Sequence, residues 1–245
     1  MERRRLDQWL VDRGLAESRE KAQRLILAGA VRVNGQPATK PGHRFPQDAA
    51  IARVREARFV SRGGEKLEGA FRHFDLDVQG KVCLDIGAST GGFTDALLQQ
   101  GASRVYAVDV GRAQLHPRLA SDDRVIVMDR CNARYLTAAD FPERPAVAVV
   151  DVSFISLRLV LPAVKEVLRP GGEVVTLIKP QFEAGREEVG RGGVVRDSAV
   201  RERVVEQLRA FGRSELGWAW KGTCESPLPG PAGNREYLMH WRTPE

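Results

Sequence analysis

The chain of 245 residues carries 38 Lys+Arg and 32 Asp+Glu, a net charge of +6, and 42% of its residues are hydrophobic. This composition can build ordinary cores and argues against a disordered chain. No apolar run approaches the roughly 18 residues that a membrane span requires. The basic residues 1–5 do not lead into the apolar stretch of a signal peptide. We therefore expect a cytoplasmic protein with no membrane partner.

The positive charge is concentrated at the start of the chain. Residues 1–60 contain thirteen Lys+Arg and seven Asp+Glu, a net of +6, whereas residues 61–245 contain 25 of each sign. Because a domain averages about 150 residues, the length and the charge break together predict a basic domain over 1–57, a linker over 58–64 and a larger neutral domain over 65–245.

The three cysteines, Cys83, Cys131 and Cys224, form an odd and widely spaced set. No CxxC pair is present, and no histidine lies at a ligand spacing. We interpret them as reduced thiols in the core of a cytoplasmic protein and expect no metal site.

The basic domain reads as a small unit of two helices and a hairpin. The apolar spacing within residues 6–10 predicts a first helix, and Ser18 is suited to cap a second one. Residues 31–33 alternate as a strand, and Asn34-Gly35 is the turn that most strongly signals a hairpin. A further strand is predicted over residues 51–54.

Nine cations of this domain form a stripe that suits phosphate groups, although a charge run by itself is more often a solvated surface. The candidate RNA-binding residues are Arg3, Arg4, Arg5, Arg19, Lys21, Arg24, Arg32, Lys40 and Arg44. The runs Arg5-Leu6-Asp7, Ser18-Arg19-Glu20-Lys21-Ala22, Val33-Asn34-Gly35 and Lys40-Pro41-Gly42 resemble the small RNA-binding domain shared by ribosomal small-subunit protein S-four and many pseudouridine synthases. This resemblance implies that the basic domain binds RNA.

In the larger domain, short apolar runs alternate with helical stretches. The runs are 82–86, 105–108, 125–128, 147–150 and 174–178. Strands that alternate with helices predict βαβ units and a doubly wound, mostly parallel sheet of the α/β class, covered on both faces.

A glycine-rich turn follows the first of these strands, and a carboxylate ends each of the first three. The dinucleotide fingerprint GxGxxG is absent because Ser89 stands at its second glycine. The acid that precedes the first glycine gives instead the D-x-G-x-x-x-G pattern of S-adenosylmethionine enzymes. We expect Asp109 to accept from the ribose hydroxyls and Asp129 from the exocyclic amine of adenine. The candidate cofactor-binding residues are Asp85, Gly87, Ala88, Ser89, Thr90, Gly91, Gly92, Phe93, Asp109, Val110, Asp129 and Arg130.

A single aspartate at a strand end is often only a helix cap or a turn residue. Three in register at the carboxyl ends of successive strands favour a methyl-donor pocket. Two classes of acceptor are disfavoured. Amino-methylating enzymes require a Pro-Pro-aromatic run after the fourth strand, and this chain has no Pro-Pro. Cytosine C5 enzymes require a cysteine that follows a proline, and none of the three cysteines does so.

The acceptor site is predicted from Lys66, Asp151, Lys179 and Glu236, which resemble the tetrad of FtsJ-like ribose 2′-O-methyltransferases. The whole chain resembles the TlyA/haemolysin A family. The supporting runs are 61–67, 85–94, 150–157, 178–183, 192–197 and 233–238. The resemblance implies a seven-stranded class I methyltransferase sheet, the cofactor S-adenosylmethionine, and methylation of cytidine 2′-hydroxyls in small- and large-subunit ribosomal RNA. It implies ribosomal RNA or ribosomal subunits as the partner, with no obligate protein partner.

Lysine is scarce here, since only seven of the 38 cations are lysine. A ribose hydroxyl must lose its proton to attack, and lysine can take that proton whereas arginine cannot. We assign Lys179 as the base and Lys66 as a second cation that lowers the pKa of Lys179 and touches substrate oxygens. Asp151 and Glu236 would orient the two amines. The alternative for each lysine is a plain surface cation.

Residues 180–197 hold four glycines and are predicted to be either a mobile lid or an ordinary surface loop. Ser198 is predicted to cap the following helix, and Trp218, Trp220 and Trp241 to pack the last strands. Three other functions stay open: an RNA-binding protein without catalysis, a membrane-active haemolysin, and a small-molecule O-methyltransferase.

Overall fold

The structure is a computed structural model that describes residues 3–27, 29–53 and 58–245. Contacts separate the chain into two units, Met1–Arg58 and Phe59–Glu245. The predicted linker over 58–64 and the exact domain boundaries stay predictions. Phe59 is buried in the core of the second unit.

The first unit consists of short helices and strands around a small apolar core. Its described elements are β1 (Arg3–Arg5), α1 (Leu6–Asp12), α2 (Arg19–Leu27), β2 (Val31–Val33), β3 (Gln36–Pro37), β4 (Arg44–Pro46) and β5 (Ile51–Arg53). Ser18 Oγ accepts from Lys21 N at 3.2 Å, which confirms the predicted cap. Asn34 and Gly35 have φ values of 49° and 78°, which confirms the predicted hairpin. Val54, the predicted end of β5, lies outside the described residues.

The pairing of β1 with β4 was not predicted. These strands are antiparallel, and their register sets Arg5 opposite Arg44. No apolar alternation marks either strand, because β1 consists of three arginines. Strands β3, β2 and β5 form a separate three-stranded sheet in that order. The fully buried Leu6, Leu10 and Ile26 pack the two helices against it.

The second unit is built on a seven-stranded sheet. Its strands are β6 (Val82–Ile86), β7 (Arg104–Val108), β8 (Val125–Met128), β9 (Val147–Val150), β10 (Glu173–Ile178), β11 (Ala219–Glu225) and β12 (Tyr237–Arg242), in the spatial order β11-β12-β10-β9-β6-β7-β8. Strands β6 to β10 are parallel, and β12 runs antiparallel to both β10 and β11. The predicted doubly wound, mostly parallel sheet is confirmed.

Helices cover both faces of this sheet, because its central strands are apolar on both sides. The helices are α3 (Gly63–His73), α4 (Gly92–Gln99), α5 (Pro117–Ala120), α6 (Leu161–Val167), α7 (Pro180–Glu183) and α8 (Ser198–Ser214). Along β6, Leu84 and Ile86 point into one apolar cluster and Cys83 into the other. Fully burying an aliphatic side chain such as Leu84 stabilises the fold by about 1.5–3 kcal/mol.

Two local predictions are wrong in this unit. Asp197 rather than Ser198 caps α8, because its Oδ1 accepts from Ala199 N at 2.9 Å and Ser198 is already helical. The segment 180–197, predicted as either a lid or a surface loop, contains α7, a turn of 3₁₀ helix over Arg186–Glu188 and a bridge between Gly190 and Val194.

The second correction concerns the tryptophans. Trp218 and Trp241 are buried edge to face with ring centroids 6.0 Å apart, as predicted. Trp220 instead keeps 40% of its surface exposed, because it lies on the outer face of edge strand β11 beneath Arg209. Over the described residues, no helix combines the length and the apolar character that crossing a bilayer requires.

Candidate active site

The turn from β6 into α4 brings backbone groups to the carboxyl edge of the sheet. Gly87, Ser89 and Gly91 all have positive φ, at 83°, 49° and 95°. A Cβ on Gly87 would come within 2.3 Å of the Asp151 carbonyl oxygen, so this position can hold only glycine without a shift of the backbone. The turn therefore packs directly against the end of β9.

Asp85 supports this turn from beneath. Its side chain is fully buried, and its Oδ2 accepts from Thr94 Oγ1 at 2.6 Å. Burial raises the pKa of Asp85 to about 7, against the opposing effect of the Thr94 hydrogen bond. Asp85 lies on the wall of neither cavity described below, so its position is that of a support for the glycine-rich turn.

A cavity of about 880 Å³ opens at the carboxyl ends of β6, β7 and β9; we call it the larger cavity. Four of the predicted cofactor residues line it, namely Gly87, Ser89, Asp109 and Val110. Asp109 Oδ2 accepts from Ser89 N at 2.8 Å and its Oδ1 from Gly111 N at 2.7 Å. These bonds fix the carboxylate at the cavity wall, and its remaining lone pairs can accept from a ligand.

Asp129 and Arg130 do not line the larger cavity. Asp129 Oδ2 accepts from Ala113 N at 2.8 Å, so this carboxylate braces the loop after β7. The polar side chain that reaches the wall here is Asn132, next to Cys131. Cys131 is half-buried, packs against the core and also lines the larger cavity, whereas Cys83 is buried in the core.

A second cavity, of about 450 Å³, adjoins the first; we call it the smaller cavity. Five other predicted cofactor residues belong here or close by: Ala88, Thr90, Gly92 and Phe93 line it, and Gly91 caps the start of α4. Gly87, Ser89 and Asp151 line both cavities. A group held in one cavity can therefore meet a group held in the other beside Asp151.

The four tetrad residues form two ion pairs, and one member of each pair lines the smaller cavity while Lys179 and Glu236 line neither cavity. Lys179 Nζ lies 2.6 Å from Asp151 Oδ1 and donates to Ser153 Oγ at 2.8 Å. Lys66, on α3, pairs through Nζ with Glu236 Oε2 at 2.5 Å. Lys66 and Asp151 both line the smaller cavity. Each lysine is thus compensated by its own carboxylate.

The two pairs differ in their exposure to solvent. The side chains of Lys66 and Glu236 are 9% and 0% exposed, whereas those of Lys179 and Asp151 are 11% and 20% exposed. A buried pair is held rigidly because separating its charges is costly. Glu236 therefore lies deeper than Asp151, whereas the two lysine side chains are almost equally buried.

An aromatic pair stands at the rim of the larger cavity and was not singled out from the sequence. Phe154 is 91% exposed with a φ of 63°, and its ring centroid lies 5.0 Å from that of Phe182. Glu183 holds the neighbouring segment, because its carboxylate accepts from Ser156 Oγ at 2.6 Å and Leu157 N at 2.7 Å. Burial raises the pKa of Glu183 against these two hydrogen bonds. Neither the exposure nor the positive φ of Phe154 can be read from the sequence, so the sequence offers no signal for this aromatic pair.

The nine candidate RNA-binding cations lie in the first unit, and five of them already pair with acids of that unit. Asp7 is fully buried and binds Arg5 through both oxygens, at 3.0 and 2.9 Å, and Arg19 at 3.0 Å. Burial alone would raise the pKa of Asp7, but the hydrogen bonds from Arg5, Gln23 and Arg19 hold it well below its usual range. The other pairs are Arg4 with Asp12, Lys21 with Glu17 and Arg24 with Glu20.

The remaining candidates differ from these five. Arg3 and Arg32 donate to the backbone carbonyls of Arg44 and Gly35, at 3.1 Å each. Lys40 and Arg44 are exposed. Carboxylates therefore partly balance the nine candidate cations, so the list from the sequence overstates the number of cations that are ready for phosphate.

Comparison with known proteins decides which family this architecture represents. The FtsJ-like methyltransferase family matches residues 59–243, and the S4 domain matches residues 4–50. The chain belongs to the FtsJ-like methyltransferase family. The second match agrees with the resemblance of the basic runs to the S-four-type RNA-binding domain.

Full-length relatives of this FtsJ-like methyltransferase define its subgroup. The chain is 48% identical to the 16S/23S rRNA (cytidine-2′-O)-methyltransferase TlyA of Mycobacterium tuberculosis, over 98% of this chain and 90% of that protein. It is 45% identical to Hemolysin A of Brachyspira hyodysenteriae, over 97% of this chain and 99% of that protein. The predicted membership of the TlyA/haemolysin A family is confirmed.

A solved structure shows the same architecture. A protein of Streptococcus thermophilus described as a candidate hemolysin is 46% identical and superposes with a TM-score of 0.76, covering 100% of this chain and 90% of that one. The FtsJ-like fold and its preceding small domain are therefore common to this chain and that relative.

Proposed function

We propose that this protein transfers a methyl group from S-adenosylmethionine to ribose 2′-hydroxyls of ribosomal RNA. The observation that carries the proposal is the junction of the two cavities at Asp151, where each of two lysine–carboxylate pairs places one member on the wall of the smaller cavity. The names of the TlyA relatives support ribosomal RNA and cytidine as the target. With ribosomal RNA as substrate, the site of action is the cytoplasm.

The larger cavity fits the proposed cofactor by size and by chemistry. S-adenosylmethionine supplies an electrophilic methyl group on a sulfonium centre. A volume of about 880 Å³ lies in the range of small-ligand sites. Asp109 offers carboxylate lone pairs at the end of β7, where ribose hydroxyls are held in related folds. Val110 and Asn132 offer an apolar surface and an amide on the same wall.

The residues of the junction account for the chemistry at the acceptor oxygen. A ribose hydroxyl is a weak nucleophile at neutral pH, and removing its proton is the contribution that a general base makes. Lys179 is the proposed base: in its neutral form Nζ accepts the hydroxyl proton and then returns it to solvent. Asp151 and Ser153 fix the position of Nζ by contacts of 2.6 and 2.8 Å.

Lys66 is proposed to hold substrate oxygens from the opposite wall. Its ammonium is fixed by Glu236, so it can donate to the ribose without a search through rotamers. The effect of Lys66 on the Lys179 amine stays a prediction, as do the roles of the other predicted cofactor and RNA-binding residues. The mobile lid over 180–197 also stays a prediction.

The experiment that tests this function is transfer of a labelled methyl group to purified ribosomal subunits. The wild-type protein should label ribosomal RNA, and Lys179→Arg should bind S-adenosylhomocysteine as the wild type does but lose transfer, because arginine is not deprotonated in proteins. Lys165→Arg, on the exposed face of α6, is the matched control and should keep full activity. An RNA-binding protein without catalysis would label nothing in any variant, and this result would overturn the proposal.

A further inference from the structure

Asn234 joins two loops of the second unit through its side chain. It is 1% exposed and lies two residues before Glu236. Its Oδ1 accepts from Val195 N at 2.9 Å, and its Nδ2 donates to Gly193 O at 2.7 Å. Both ends of one buried amide are therefore bound to the backbone of a segment about 40 residues earlier in the chain.

The backbone of Asn234 also shapes the loop that precedes Glu236. Asn234 O accepts from Gly230 N at 2.9 Å, and Gly233 N donates to Gly230 O at 2.9 Å, which closes a tight turn. A Cβ on Gly230 would come within 2.4 Å of Glu236 Oε1, so the turn lies directly against the carboxylate. The position of this turn therefore sets the space in which the Glu236 side chain sits.

The same loop forms a wall of the smaller cavity. Pro229 and Pro231 line that cavity, and Arg62 donates to Pro229 O at 3.0 Å from the opposite side. The loop is thus anchored at three places, namely by Arg62, by Asn234 and by the bond from Ser226 N to Glu236 O at 2.8 Å. Of these three anchors, the Asn234 side chain alone reaches the segment 190–195.

We propose that Asn234 is a positioning residue for the methyl-transfer site: it fixes the loop that holds Glu236 against Lys66 by bonding that loop to residues 193–195. The inference rests on the proposed function, since it assigns Asn234 a part in that reaction. It explains why the run 192–197 stood out in the sequence although it holds no predicted cofactor or acceptor residue, since its partner run 233–238 holds both Asn234 and Glu236. The two runs are the two halves of one buried contact.

A purely structural role for Asn234 predicts different measurements. Loss of two buried hydrogen bonds would then lower stability and affect donor binding and turnover together. A positioning role acts on Glu236 alone, so turnover should fall while the affinity for the donor product S-adenosylhomocysteine stays the same. The effect should also depend on Glu236 being present, because coupled residues are not additive.

The test compares Asn234→Ala, Asn234→Asp and the control Arg203→Gln in the full chain. Asp keeps the acceptor for Val195 N but cannot donate to Gly193 O. Arg203 pairs with Glu188 and ties the same 180–197 segment to α8 without touching the loop before Glu236. We expect kcat for ribosomal RNA to fall about tenfold in Asn234→Ala and less in Asn234→Asp, with the Kd of S-adenosylhomocysteine within twofold of wild type. Arg203→Gln should stay within twofold in both quantities.

Two further measurements keep the proposal falsifiable. Hydrogen exchange at the Val195 amide should speed up in Asn234→Ala but not in Arg203→Gln, whether or not the protein is an enzyme. Single-turnover assays with labelled donor should show that Glu236→Gln costs less activity on the Asn234→Ala background than on wild type.

Unchanged kcat in Asn234→Ala, or equal costs of Glu236→Gln on both backgrounds, would overturn the inference. Donor affinity that falls in step with kcat would also overturn it, in favour of a structural role. An inactive wild-type protein would refute the proposed function instead, and the exchange data would still report whether Asn234 holds the two loops together.

Discussion

The buried carboxyl of Asp85 should make the stability of this protein fall as the pH rises. Burial raises the pKa of Asp85 from 3.8 to about 7. Between these values the folded state keeps a proton that the unfolded state has released, so the free energy of unfolding decreases with pH. One pKa unit corresponds to about 1.4 kcal/mol, so the loss accumulates to about 4 kcal/mol by pH 7.

The substitution Asp85→Asn tests this reasoning because asparagine keeps the shape and carries no charge. Denaturant unfolding of wild type and Asp85→Asn would be measured from pH 4 to pH 8. The stability of the variant relative to wild type should increase across this range by a few kcal/mol, of the order that the pKa shift implies. Thr94 can still hydrogen-bond to the amide oxygen, so the comparison isolates the titration.

Asp122→Asn provides a control of opposite sign. The hydrogen bonds from Arg124 lower the pKa of Asp122, which is part-exposed. A lowered pKa stabilises the folded state above the unfolded value of the pKa, and this stabilisation is lost only as the pH falls below about 4, so Asp122→Asn should be less stable than wild type by an amount that stays constant from pH 4 to pH 8. A stability difference between Asp85→Asn and wild type that does not change with pH would refute the account of Asp85.

Three further predictions concern the ion pair, the aromatic rim and the basic unit. Lys66→Met leaves Glu236 buried without its cation and should cost about 3–5 kcal/mol in denaturant unfolding, and adding Glu236→Gln should recover part of that loss. Glu183→Ala removes two hydrogen bonds to the segment after β9 and should lower the unfolding free energy by about 1–3 kcal/mol; a loss below that range would contradict the buried geometry. Arg44→Gln should reduce the slope of log affinity against log salt for RNA by about 0.7–0.9, whereas Arg209→Gln, beside Trp220 in the second unit, should leave that slope unchanged.

The sheet could be predicted from sequence because its signal is local. The apolar runs of β6, β7, β9 and β10 are buried on both faces, so their composition alone marks them as central strands. The pairing of β1 with β4 could not be predicted, because three arginines give no alternation and the partner lies about 40 residues away. The N-cap of α8 was assigned to the wrong residue because Asp197 and Ser198 are adjacent and both residue types are good N-caps.

The tetrad was found through its resemblance to a family, whereas its geometry depends on long-range packing. The pairing of Lys66 with Glu236 joins residues 170 positions apart, and no local pattern specifies which carboxylate serves which lysine. Asn234 was overlooked for the same reason, since a buried amide that holds two loops resembles any loop asparagine in the sequence. In the basic unit the sequence could not show which cations are paired, because the contacts of Asp7 with Arg5 and Arg19 are made only in the folded structure.

The position of the methyl group on the RNA tests the central claim most directly. A 2′-O-methyl group removes the nucleophile of alkaline RNA cleavage, so a modified ribose resists alkali at one bond. Ribosomal RNA incubated with the wild-type protein and S-adenosylmethionine should become resistant at discrete cytidines, and RNA incubated with Lys179→Arg should not. Methyl groups found on bases, or resistance that Lys179→Arg still produces, would contradict the assignment of this site to ribose 2′-O-methylation with Lys179 as the base.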